Sequence, residues 1–443
     1  MSDSGDEIAR RIKELELENI QLKSKIRDYE EDRNQQVFES KANSEVEDHL
    51  SLNEYERYGR QMIVKEFGSR DGQIELKKSS FLVIGAGGLG CPLLLYLVAA
   101  GAGRIGIVDN DVVDISNLHR QVLHNTDNVG MFKCDSAKMY LSKLNPHVTI
   151  ESYPIRLSNE NAFSLIEEYD IILDCTDTPA TRYLINDVSV ISGKTIISGS
   201  GLRSDGQLTI LNFNNKGPCY RCFYPSPPSP ESVTKCSDGG VIGPAIGLIG
   251  VLMALEAIKV ATKYYTDETF SPFLSSYSGY PQQQLRVFKM RSRKKDCLVC
   301  GASSAISKKA ILSREIDYAA FCGSYNTNVL DDQFRISAKD FYSLDKSRST
   351  LIDVRPDTQF AITKLNGFVN IPWDSTFKKL DTLQVDLPGV KKDDPIYVVC
   401  RYGNDSQLAA KKLLAEMGYS NVKDIKGGLN KWSEEVDPKF PKY

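Results

Sequence analysis

The sequence lacks both a long uninterrupted hydrophobic run and a strong net charge. Its 443 residues carry a formal net charge of −3, which gives no basic footprint for direct binding of nucleic acid. The N-terminus is acidic and has no apolar core, so it does not resemble a secretory signal. The longest apolar stretch, residues 241–258, is interrupted by Pro244, several glycines and Glu256. That pattern favours a loop and a buried helix over a membrane span, and we expect neither nucleic acid nor a membrane as a direct partner.

Histidine is also scarce, whereas cysteine is not. The chain has four histidines, none of them beyond His147, and ten cysteines. Without a secretory signal, these cysteines indicate thiol or metal chemistry in a reducing compartment rather than disulfides, and we therefore expect a cytoplasmic protein. The hydrophobic and charged fractions, 41% and 26%, are typical of soluble globular proteins, and the length allows two or three domains.

The first 33 residues have the spacing of a short coiled coil. Core positions recur at alternating steps of four and three, and the polar Asn19 among them favours a defined two-stranded register. These positions are Ile8, Ile12, Leu15, Asn19, Leu22, Ile26 and Tyr29. Three heptads are marginal as a free helix, so a solvated charged helix without a partner is the alternative. We predict a coiled-coil helix over residues 1–33 and a polar linker over residues 34–48.

Residues 81–111 have the pattern of a nucleotide-binding βαβ unit. Its parts are a buried strand, glycines at G-x-G-x-x-G spacing, a helix, and a second strand ending in an acid: 81–84, Gly85, Gly87 and Gly90, 92–100, 105–108 and Asp109. The glycines let the backbone approach a phosphate, the helix N-terminus faces that anion, and Asp109 can bind a ribose. Taken alone, the unit fits a nicotinamide-dependent oxidoreductase as well as any other nucleotide enzyme.

The residues that follow favour a triphosphate over NAD. Asn117 and Arg120 lie in the run SNLHRQ, and Lys133 follows shortly afterwards. An amide and two cations close to the glycine turn suit a triphosphate, whose charge needs several fixed donors, better than the diphosphate of NAD.

A further strand, residues 171–173, ends in an acid and leads to Asp177. An acid just past the carboxyl end of a strand lies where open α/β sheets bind ligands, and it could hold Mg²⁺ or a ribose. Capping the helix that begins near Pro179 is an equally plausible role for this residue. Both roles are compatible with one carboxylate.

Two C-x-x-C pairs about 75 residues apart predict a structural zinc site. The pairs are Cys219 with Cys222 and Cys297 with Cys300. One pair alone could be a redox motif, but two match a closed, tetrahedral site of four thiolates. Between them, a Pro/Ser-rich stretch leads to Cys236, and a cysteine in a mobile polar loop is a candidate nucleophile. Position alone leaves open a loop cysteine that only covers the site.

The whole series of motifs resembles one enzyme family. GAGGLG, VDND, SNLHRQ, CTDT, PCYRC, KCSDGGV and CLVCG occur in this order, as they do in the ubiquitin-activating-enzyme-like adenylyltransferases. That family includes the bacterial molybdopterin-synthase and thiamine adenylyltransferases. The resemblance implies a doubly wound, Rossmann-like domain over residues 49–302. There ATP would react with the C-terminal glycine of a ubiquitin-fold protein to give an acyl-adenylate and pyrophosphate.

The resemblance also implies residue roles at the matching positions. Nucleotide, phosphate and magnesium binding would fall to Gly88, Asp109, Asp111, Ser116, Asn117, Leu118, His119, Arg120, Lys133, Asp177 and Thr178. Asp177 would ligate Mg²⁺, and Arg60 would reach a phosphate in the partner subunit's site, because these domains are dimers. Family members often have Asn where this chain has Thr178.

After a predicted linker over residues 303–328, residues 329–443 form a second, smaller α/β unit. Its strand 396–399 ends in Cys400, which opens the loop RYGNDS just before a helix. A cysteine in that position faces backbone N–H groups and the positive end of a helix dipole, with Arg401 beside it. Its pKa should therefore fall. A purely structural role for Cys400 is the alternative.

This second unit is similar to rhodanese domains, in which such a cysteine carries a persulfide. The related phosphatases have the loop H-C-x5-R, but here Val399 and Ser406 stand in place of the His and the Arg. Phosphatase chemistry is therefore disfavoured. The absence of histidine from these residues also excludes a Cys–His hydrolase.

The two resemblances together imply two successive reactions on one carboxylate. An adenylyltransferase would activate a carboxylate with ATP and Mg²⁺, and a tethered rhodanese would supply sulfur to give a C-terminal thiocarboxylate. The combination resembles the eukaryotic adenylyltransferase-sulfurtransferases, which imply four things: a homodimer, a ubiquitin-like sulfur-carrier partner, a cysteine desulfurase or other sulfur donor, and service to tRNA wobble-uridine thiolation or molybdopterin synthesis. The alternatives are a nicotinamide-dependent oxidoreductase and a non-catalytic dimeric binder of a ubiquitin-fold protein.

Overall fold

The computed structural model describes residues 49–227, 239–302, 304–322, 329–373 and 389–443. The predicted coiled coil and its linker lie outside the described residues, and so does Cys236. Contacts divide the chain into two compact units, with the division between Ile316 and Asp317. It falls inside the predicted linker 303–328, whose described part contains two short helices.

The larger unit is built on one twisted sheet of eight strands. Its strands are β1 (Ser80–Ile84), β2 (Arg104–Val108), β3 (Thr149–Tyr153), β4 (Ile171–Asp174), β5 (Thr195–Leu202), β6 (Asp205–Leu211), β7 (Phe273–Ser278) and β8 (Gln284–Lys289). Its helices are α1 (Leu52–Met62), α2 (Ser69–Lys78), α3 (Gly90–Ala100), α4 (Lys133–Leu144), α5 (Ala162–Ile166), α6 (Pro179–Ile191), α7 (Tyr220–Phe223), α8 (Gly243–Ala261) and α9 (Lys308–Leu312).

The order of strands in this sheet explains where a ligand can bind. The order is β3-β2-β1-β4-β5-β6-β7-β8; the first five strands are parallel, and the last three join antiparallel. The chain winds outward from β1 in one direction and from β4 in the other. Open α/β sheets bind ligands beyond the carboxyl ends of strands at such a switch point. The doubly wound, parallel arrangement is confirmed, whereas the antiparallel extension was not predicted.

Helix α8 is the apolar stretch that the sequence placed in the interior. By length and composition alone it could cross a membrane, but it packs on the sheet through Ile249, Met253, Ala254 and Ala257, which are all buried. Its contacts are with α3, β5 and β6. Burial of this face in the core of the larger unit accounts for its hydrophobicity.

The smaller unit has a parallel sheet of five strands in the order β11-β10-β12-β13-β9. The strands are β9 (Arg335–Ile336), β10 (Thr350–Asp353), β11 (Val369–Asn370), β12 (Ile396–Val399) and β13 (Val422–Ile425). The helices are α10 (Tyr318–Phe321), α11 (Ala338–Ser343), α12 (Asp357–Ile362), α13 (Asp405–Ala415) and α14 (Gly428–Glu435). Cys400 follows the central strand β12, so the fold places it at the middle of the carboxyl edge.

Candidate functional site

The glycine turn after β1 is shaped by two contacts that only glycine allows. Gly85 has a φ of +102°, and a Cβ there would lie 2.9 Å from the carbonyl oxygen of Cys175. A Cβ on Gly90 would lie 2.0 Å from the carbonyl oxygen of Gly85. The first turn of α3 therefore packs directly on the loop. Within that turn the N–H of Cys91 donates to the carbonyl of Gly87 at 2.9 Å, and Pro92 has no N–H. A glycine loop packed this closely on a helix N-terminus is typical of a phosphate-binding turn.

Both backbone polar groups of Ala86 in this turn have side-chain partners. Its N–H donates to Asp109 Oδ2 at 2.8 Å, and its carbonyl lies 3.1 Å from His124 Nε2. Because a carbonyl can only accept, Nε2 carries the proton, and Nδ1 accepts from the hydroxyl of Ser136 at 2.9 Å. Burial lowers the pKa of His124, which keeps the ring neutral. Sequence analysis missed His124, whose only signal is its position just after SNLHRQ.

Asp109 ends β2 and lies close to the glycine turn, as predicted. Its other carboxylate oxygen accepts the N–H of Asp111 at 2.8 Å. Burial raises the pKa of Asp109, and the nearby Lys133 opposes that shift. A fixed carboxylate beside a phosphate-binding turn can accept the hydroxyls of a ribose.

The predicted phosphate-binding residues form two adjoining pairs. Lys133, the first residue of α4, is buried and donates to Asp111 Oδ2 at 2.9 Å. Arg120 donates to Asn117 Oδ1 at 2.6 Å and to the carbonyl of Ser116 at 3.3 Å. A short 3-10 turn, Ile115–Asn117, positions the second pair, and Leu118 and His119 follow it. An amide and two cations are thus fixed beside the turn.

Gly88 and Arg60 complete the predicted nucleotide residues. A Cβ on Gly88 would lie 2.8 Å from the side chain of Ile246 and 3.5 Å from Arg120 Cγ, so the glycine leaves room beneath the arginine. Arg60 lies exposed on the last turn of α1. The structure thus relates Gly88 directly to Arg120 and places Arg60 where a second molecule can meet it.

Asp177 is exposed between β4 and α6, on a loop that buried groups hold in place. Asp174 Oδ1 accepts from the N–H and the hydroxyl of Thr176 at 3.1 and 2.7 Å. Arg182 donates to the carbonyls of Thr176 and Gly199. These bonds fix the residue next to Asp177 and leave its carboxylate available to a cation.

The helix cap at this point is Thr178 rather than Asp177. The capping role considered for Asp177 is therefore wrong, and its role as a magnesium ligand stays a prediction. Arg182 was missed by sequence analysis. Its only signal is a cation on α6, five residues after the acid.

The four cysteines of the two C-x-x-C pairs come together as predicted. All four are buried, and their sulfurs lie within 4.8 Å of one another. The separations given by the closest contacts are 3.9 Å for Cys219–Cys222, 3.6 Å for Cys219–Cys297 and 3.4 Å for Cys222–Cys300. Four sulfurs at about 2.3 Å from a tetrahedral zinc lie about 3.8 Å apart, so the cluster fits a zinc ion.

A cavity of about 450 Å³ lies between the antiparallel strands and the cluster of four cysteines. Arg182 and Ser198 line it on the side of the Asp177 loop, Tyr220 lines it from α7, and Phe288 and Lys294 from β8 and beyond. The cavity therefore connects the loop that carries Asp177 with the edge of the sheet.

In the smaller unit, the loop after β12 wraps around the sulfur of Cys400. The sulfur accepts the N–H groups of Gly403 and Asn404 at 3.1 and 3.2 Å, and α13 begins one residue later. Gly403 has a φ of +76°, and a Cβ there would lie 2.6 Å from the backbone nitrogen of Gly427. The loop thus forms the predicted cradle of backbone donors.

The predicted fall in the pKa of Cys400 is wrong for this structure. The residue is only 3% exposed, and burial raises the pKa of its thiol, with a further rise from the nearby Asp405. Hydrogen bonds from the backbone N–H groups of Ser406 and Asn404 oppose the rise in this pKa. Desolvation of a thiolate outweighs these donors, and that depends on tertiary packing which the loop sequence does not reveal.

Comparisons with known proteins match each of the two units to a protein family. The model of the ThiF family matches residues 58–299, and the rhodanese-like domain matches residues 337–435. The chain is 62% identical over 99% of its length to the adenylyltransferase and sulfurtransferase UBA4 of Scheffersomyces stipitis, of which 98% is covered. It is 51% identical over 98% of its length to the protein of that name from Saccharomyces cerevisiae, of which 97% is covered.

Among solved structures, the chain is similar to E. coli MccB in complex with MccA-N7isoASN. That likeness covers 58% of this chain and 76% of MccB, at 22% identity and a TM-score of 0.49. The family model and the relatives support an adenylyltransferase and sulfurtransferase and disfavour the nicotinamide-dependent oxidoreductase and the non-catalytic binder. This chain belongs to the ThiF family, among its adenylyltransferase and sulfurtransferase members that carry a rhodanese-like domain.

Proposed function

We propose that this chain adenylates the C-terminal glycine of a ubiquitin-like sulfur carrier and then converts that carboxylate into a thiocarboxylate. The observation that carries the proposal is the presence of two distinct sites in one chain. One fixes a ribose-binding acid, an amide and two cations around a phosphate-binding turn. The other holds a cysteine among backbone donors. The first suits carboxylate activation by ATP, and the second suits a sulfur that must be both stabilised and transferred.

Each nucleotide-site residue has a role in adenylation. Asp109 would accept hydrogen bonds from the ribose hydroxyls, and the glycine turn before α3 would face the phosphates. Lys133 and Arg120 would neutralise the charge that moves onto pyrophosphate as the carboxylate attacks the α-phosphate. Asp177, exposed on its fixed loop, would ligate Mg²⁺. Magnesium held by this carboxylate would supply Lewis-acid stabilisation of the charge on the triphosphate.

The cavity beside this site provides a route for the carrier's C-terminus. Its inner wall includes Arg182 and Ser198, which also bound the Asp177 loop. Its outer wall includes Phe288 of β8, an edge strand with Leu285 and Val287 also exposed. A ubiquitin-fold body would lie on this apolar edge while its extended tail runs inward.

The sulfur step uses the other unit. A persulfide on Cys400 would attack the acyl carbon, form a carbon–sulfur bond and expel AMP, which leaves an acyl disulfide on Cys400. The thiolate of Cys236 would then attack the Cys400 sulfur, releasing the thiocarboxylate and forming a Cys236–Cys400 disulfide that a thiol reductant must reopen. In a second route, Cys236 attacks the adenylate first and forms a thioester. Both routes make Cys236 act covalently after adenylation.

The product itself tests this proposal. With ATP, Mg²⁺, a persulfide donor and a candidate carrier, mass spectrometry should show the exchange of one oxygen for sulfur at the carrier's C-terminus. The Cys236→Ala variant should keep ATP–pyrophosphate exchange yet release severely less thiocarboxylate in a single turnover. Wild-type release from that variant would remove Cys236 from the mechanism. Absence of thiocarboxylate from the wild-type chain with every carrier would overturn the proposed function.

We also infer a homodimer formed by the larger unit. Beside the Asp111–Lys133 pair, exposed Val112 and Phe132 form a β-bridge. Ile63 and Val64, just after the helix that carries Arg60, are exposed as well. A second copy covering these side chains would let Arg60 of one protomer reach the phosphates of the other.

Light scattering tests the dimer. A chain without residues 1–48 should remain dimeric, because the apolar residues lie in the larger unit, whereas Val112→Glu should shift it toward monomer. A monomeric truncated chain would contradict the inference and assign dimerisation to residues 1–48.

The downstream use of the thiocarboxylate, in thiolation of tRNA wobble uridine or in molybdopterin synthesis, and the cytoplasmic location are part of the same proposal.

A further inference from the structure

A row of three polar side chains, two of them fully buried, leads away from the sulfur of Cys400. The thiol lies 3.4 Å from Ser406 Oγ, and Ser406 Oγ lies 3.3 Å from Asp424 Oδ2. Asp424 in turn accepts two bonds from Arg335, at 2.8 and 3.2 Å. Ser406 and Asp424 have no exposed surface. The row starts on the loop after β12 and reaches β13 and β9, so it is assembled only in the folded sheet.

The chemistry of the groups fixes the direction of these bonds. An ionised carboxylate can only accept, so the Ser406 hydroxyl donates its hydrogen to Asp424. The hydroxyl then presents its lone pairs to Cys400, whose S–H is the donor. The thiol proton therefore points along a path that ends on a carboxylate.

Cys400 needs such a path because burial favours its protonated form. A thiol is a weak nucleophile until its proton is removed, and burial raises its pKa. Burial also raises the pKa of Asp424 above that of an ordinary carboxylic acid, with Arg335 and Lys426 opposing the shift. A carboxylate with a raised pKa is a better proton acceptor.

Three other charged groups lie near Cys400 and Asp424, and each has an identified effect or partner. Asp405, at the start of α13, faces Cys400 and disfavours a thiolate. Lys426 on β13 pairs with Asp332 at 3.0 Å. The guanidinium of Arg401 lies over the rings of Tyr402 and Tyr443. Among the bonds just described, only that of Ser406 joins the sulfur to a carboxylate.

We propose that Ser406 and Asp424 form a proton relay that takes the thiol proton of Cys400 when the cysteine accepts sulfur. This inference rests on the proposed sulfur-carrying role of Cys400. As the Cys400 sulfur bonds to the terminal sulfur of an incoming persulfide, the donor's sulfur–sulfur bond breaks and the donor leaves as a thiolate. The thiol proton moves to Ser406, the Ser406 proton moves to Asp424 Oδ2, and the transferred sulfur keeps its oxidation state.

The test follows persulfide formation on Cys400 by peptide mass spectrometry. The full chain is exposed to cysteine persulfide from about pH 6 to about pH 9, and ATP–pyrophosphate exchange reports the integrity of the other unit. We expect Ser406→Ala and Asp424→Asn to slow persulfide formation by about 10- to 100-fold near neutral pH. The rate should recover as pH rises, because hydroxide then removes the proton directly. A purely structural defect would not recover with pH.

Ser433→Ala is the matched control. Ser433 is also a buried serine of this unit, but its hydroxyl donates to the carbonyl of Asn430 at 2.7 Å. It should behave as wild type. Wild-type profiles for Ser406→Ala and Asp424→Asn would overturn the relay, as would losses that persist at high pH or that Ser433→Ala shares.

A second measurement separates the relay from the proposed function. The rate at which iodoacetamide alkylates Cys400 needs no sulfur donor, and it should show the same loss near neutral pH in both relay variants. If wild-type Cys400 accepts no persulfide, the sulfur-carrying role fails, and alkylation alone decides the relay. Equal alkylation rates in the wild type and both variants would overturn the relay.

Discussion

Lys133→Ala is expected to lower carrier-dependent ATP–pyrophosphate exchange by a factor on the order of 10² to 10³, and Asp177→Ala by at least the lower value. Removal of one fixed donor to developing charge typically has an effect of this size. Lys133 is buried, lies at the start of α4 and bonds Asp111, so its ammonium is held in a fixed position. The proposed function has the charge of pyrophosphate develop beside this ammonium. Asp177→Ala would remove the proposed magnesium ligand, whereas Lys133→Ala removes a cation.

The structure supplies the controls for this experiment. Asp111 is 63% exposed on its side chain, so loss of Lys133 leaves a solvated carboxylate rather than a buried charge, and the variant should fold. Lys143→Ala, at the exposed last turn of the same helix, should leave exchange unchanged. Cys400→Ala should also keep full exchange, because its loop belongs to the other unit, while thiocarboxylate production stops. Equal loss of exchange in Lys133→Ala and Cys400→Ala would contradict separate sites.

The edge of the sheet that carries the predicted nucleotide residues follows from sequence, because the carboxyl ends of parallel strands meet at one edge. Asp109 comes after β2 and Asp177 after β4, and both strands pair with β1, so both acids lie at the edge that carries the glycine turn. Local patterns also located Lys133, which the fold places at a helix start. The structure confirms the doubly wound sheet, while the individual nucleotide-binding roles remain predictions.

The supporting residues were not predictable in the same way. Arg182 joins the ends of β4 and β5 by bonding carbonyls at Thr176 and Gly199, and backbone partners leave no pattern in the sequence. His124 supports Ala86, 38 residues away. These residues act through contacts between distant segments, so their roles follow from topology and packing rather than from motifs.

The pKa of Cys400 likewise depends on tertiary packing that the sequence does not reveal. The loop sequence predicts its backbone donors correctly, since Gly403 and Asn404 both donate to the sulfur. It cannot predict that the sulfur is also withdrawn from water, which reverses the direction of the pKa shift. Asp424 reaches the loop only because β13 lies next to β12. Sequence analysis noted Ser406 only as a departure from the phosphatase loop.

Zinc bound by the four-cysteine cluster should add to the stability of the larger unit. Helix α7 has four residues, too few for an independent helix, and it carries Cys222 opposite Cys300, 78 residues away. Arg293 adds a second link between the two segments, since it donates to the carbonyls of Gly217 and Cys300 at 3.0 and 3.4 Å. Arg293 also donates to Asn212 Oδ1 at 2.7 Å, and the N–H of Lys294 donates to Cys222 Sγ at 3.4 Å. A metal bound by four thiolates would add four coordinate bonds to these hydrogen bonds between the segments.

We therefore expect one zinc per chain, and we expect Cys219→Ser to lose it. Structural zinc contributes roughly 10 kcal/mol or more to folding in small zinc domains. The larger unit has its own extensive core, so the variant should remain folded with a melting temperature lower by on the order of 10 °C. Exchange activity should fall as well, because Tyr220 and Cys222 line the cavity proposed for the carrier's tail.

Metal analysis and thermal unfolding of the same preparations decide the question. Cys322→Ser is the matched control, because Cys322 is a cysteine outside the cluster, and it should keep both zinc and melting temperature. A chelator strong enough to strip the wild-type chain should reproduce the shift seen in Cys219→Ser, since both remove the same connection. Zinc retained by Cys219→Ser, or a zinc-free wild type with an unchanged melting temperature after chelation, would show that hydrogen bonds and packing alone hold the two segments together.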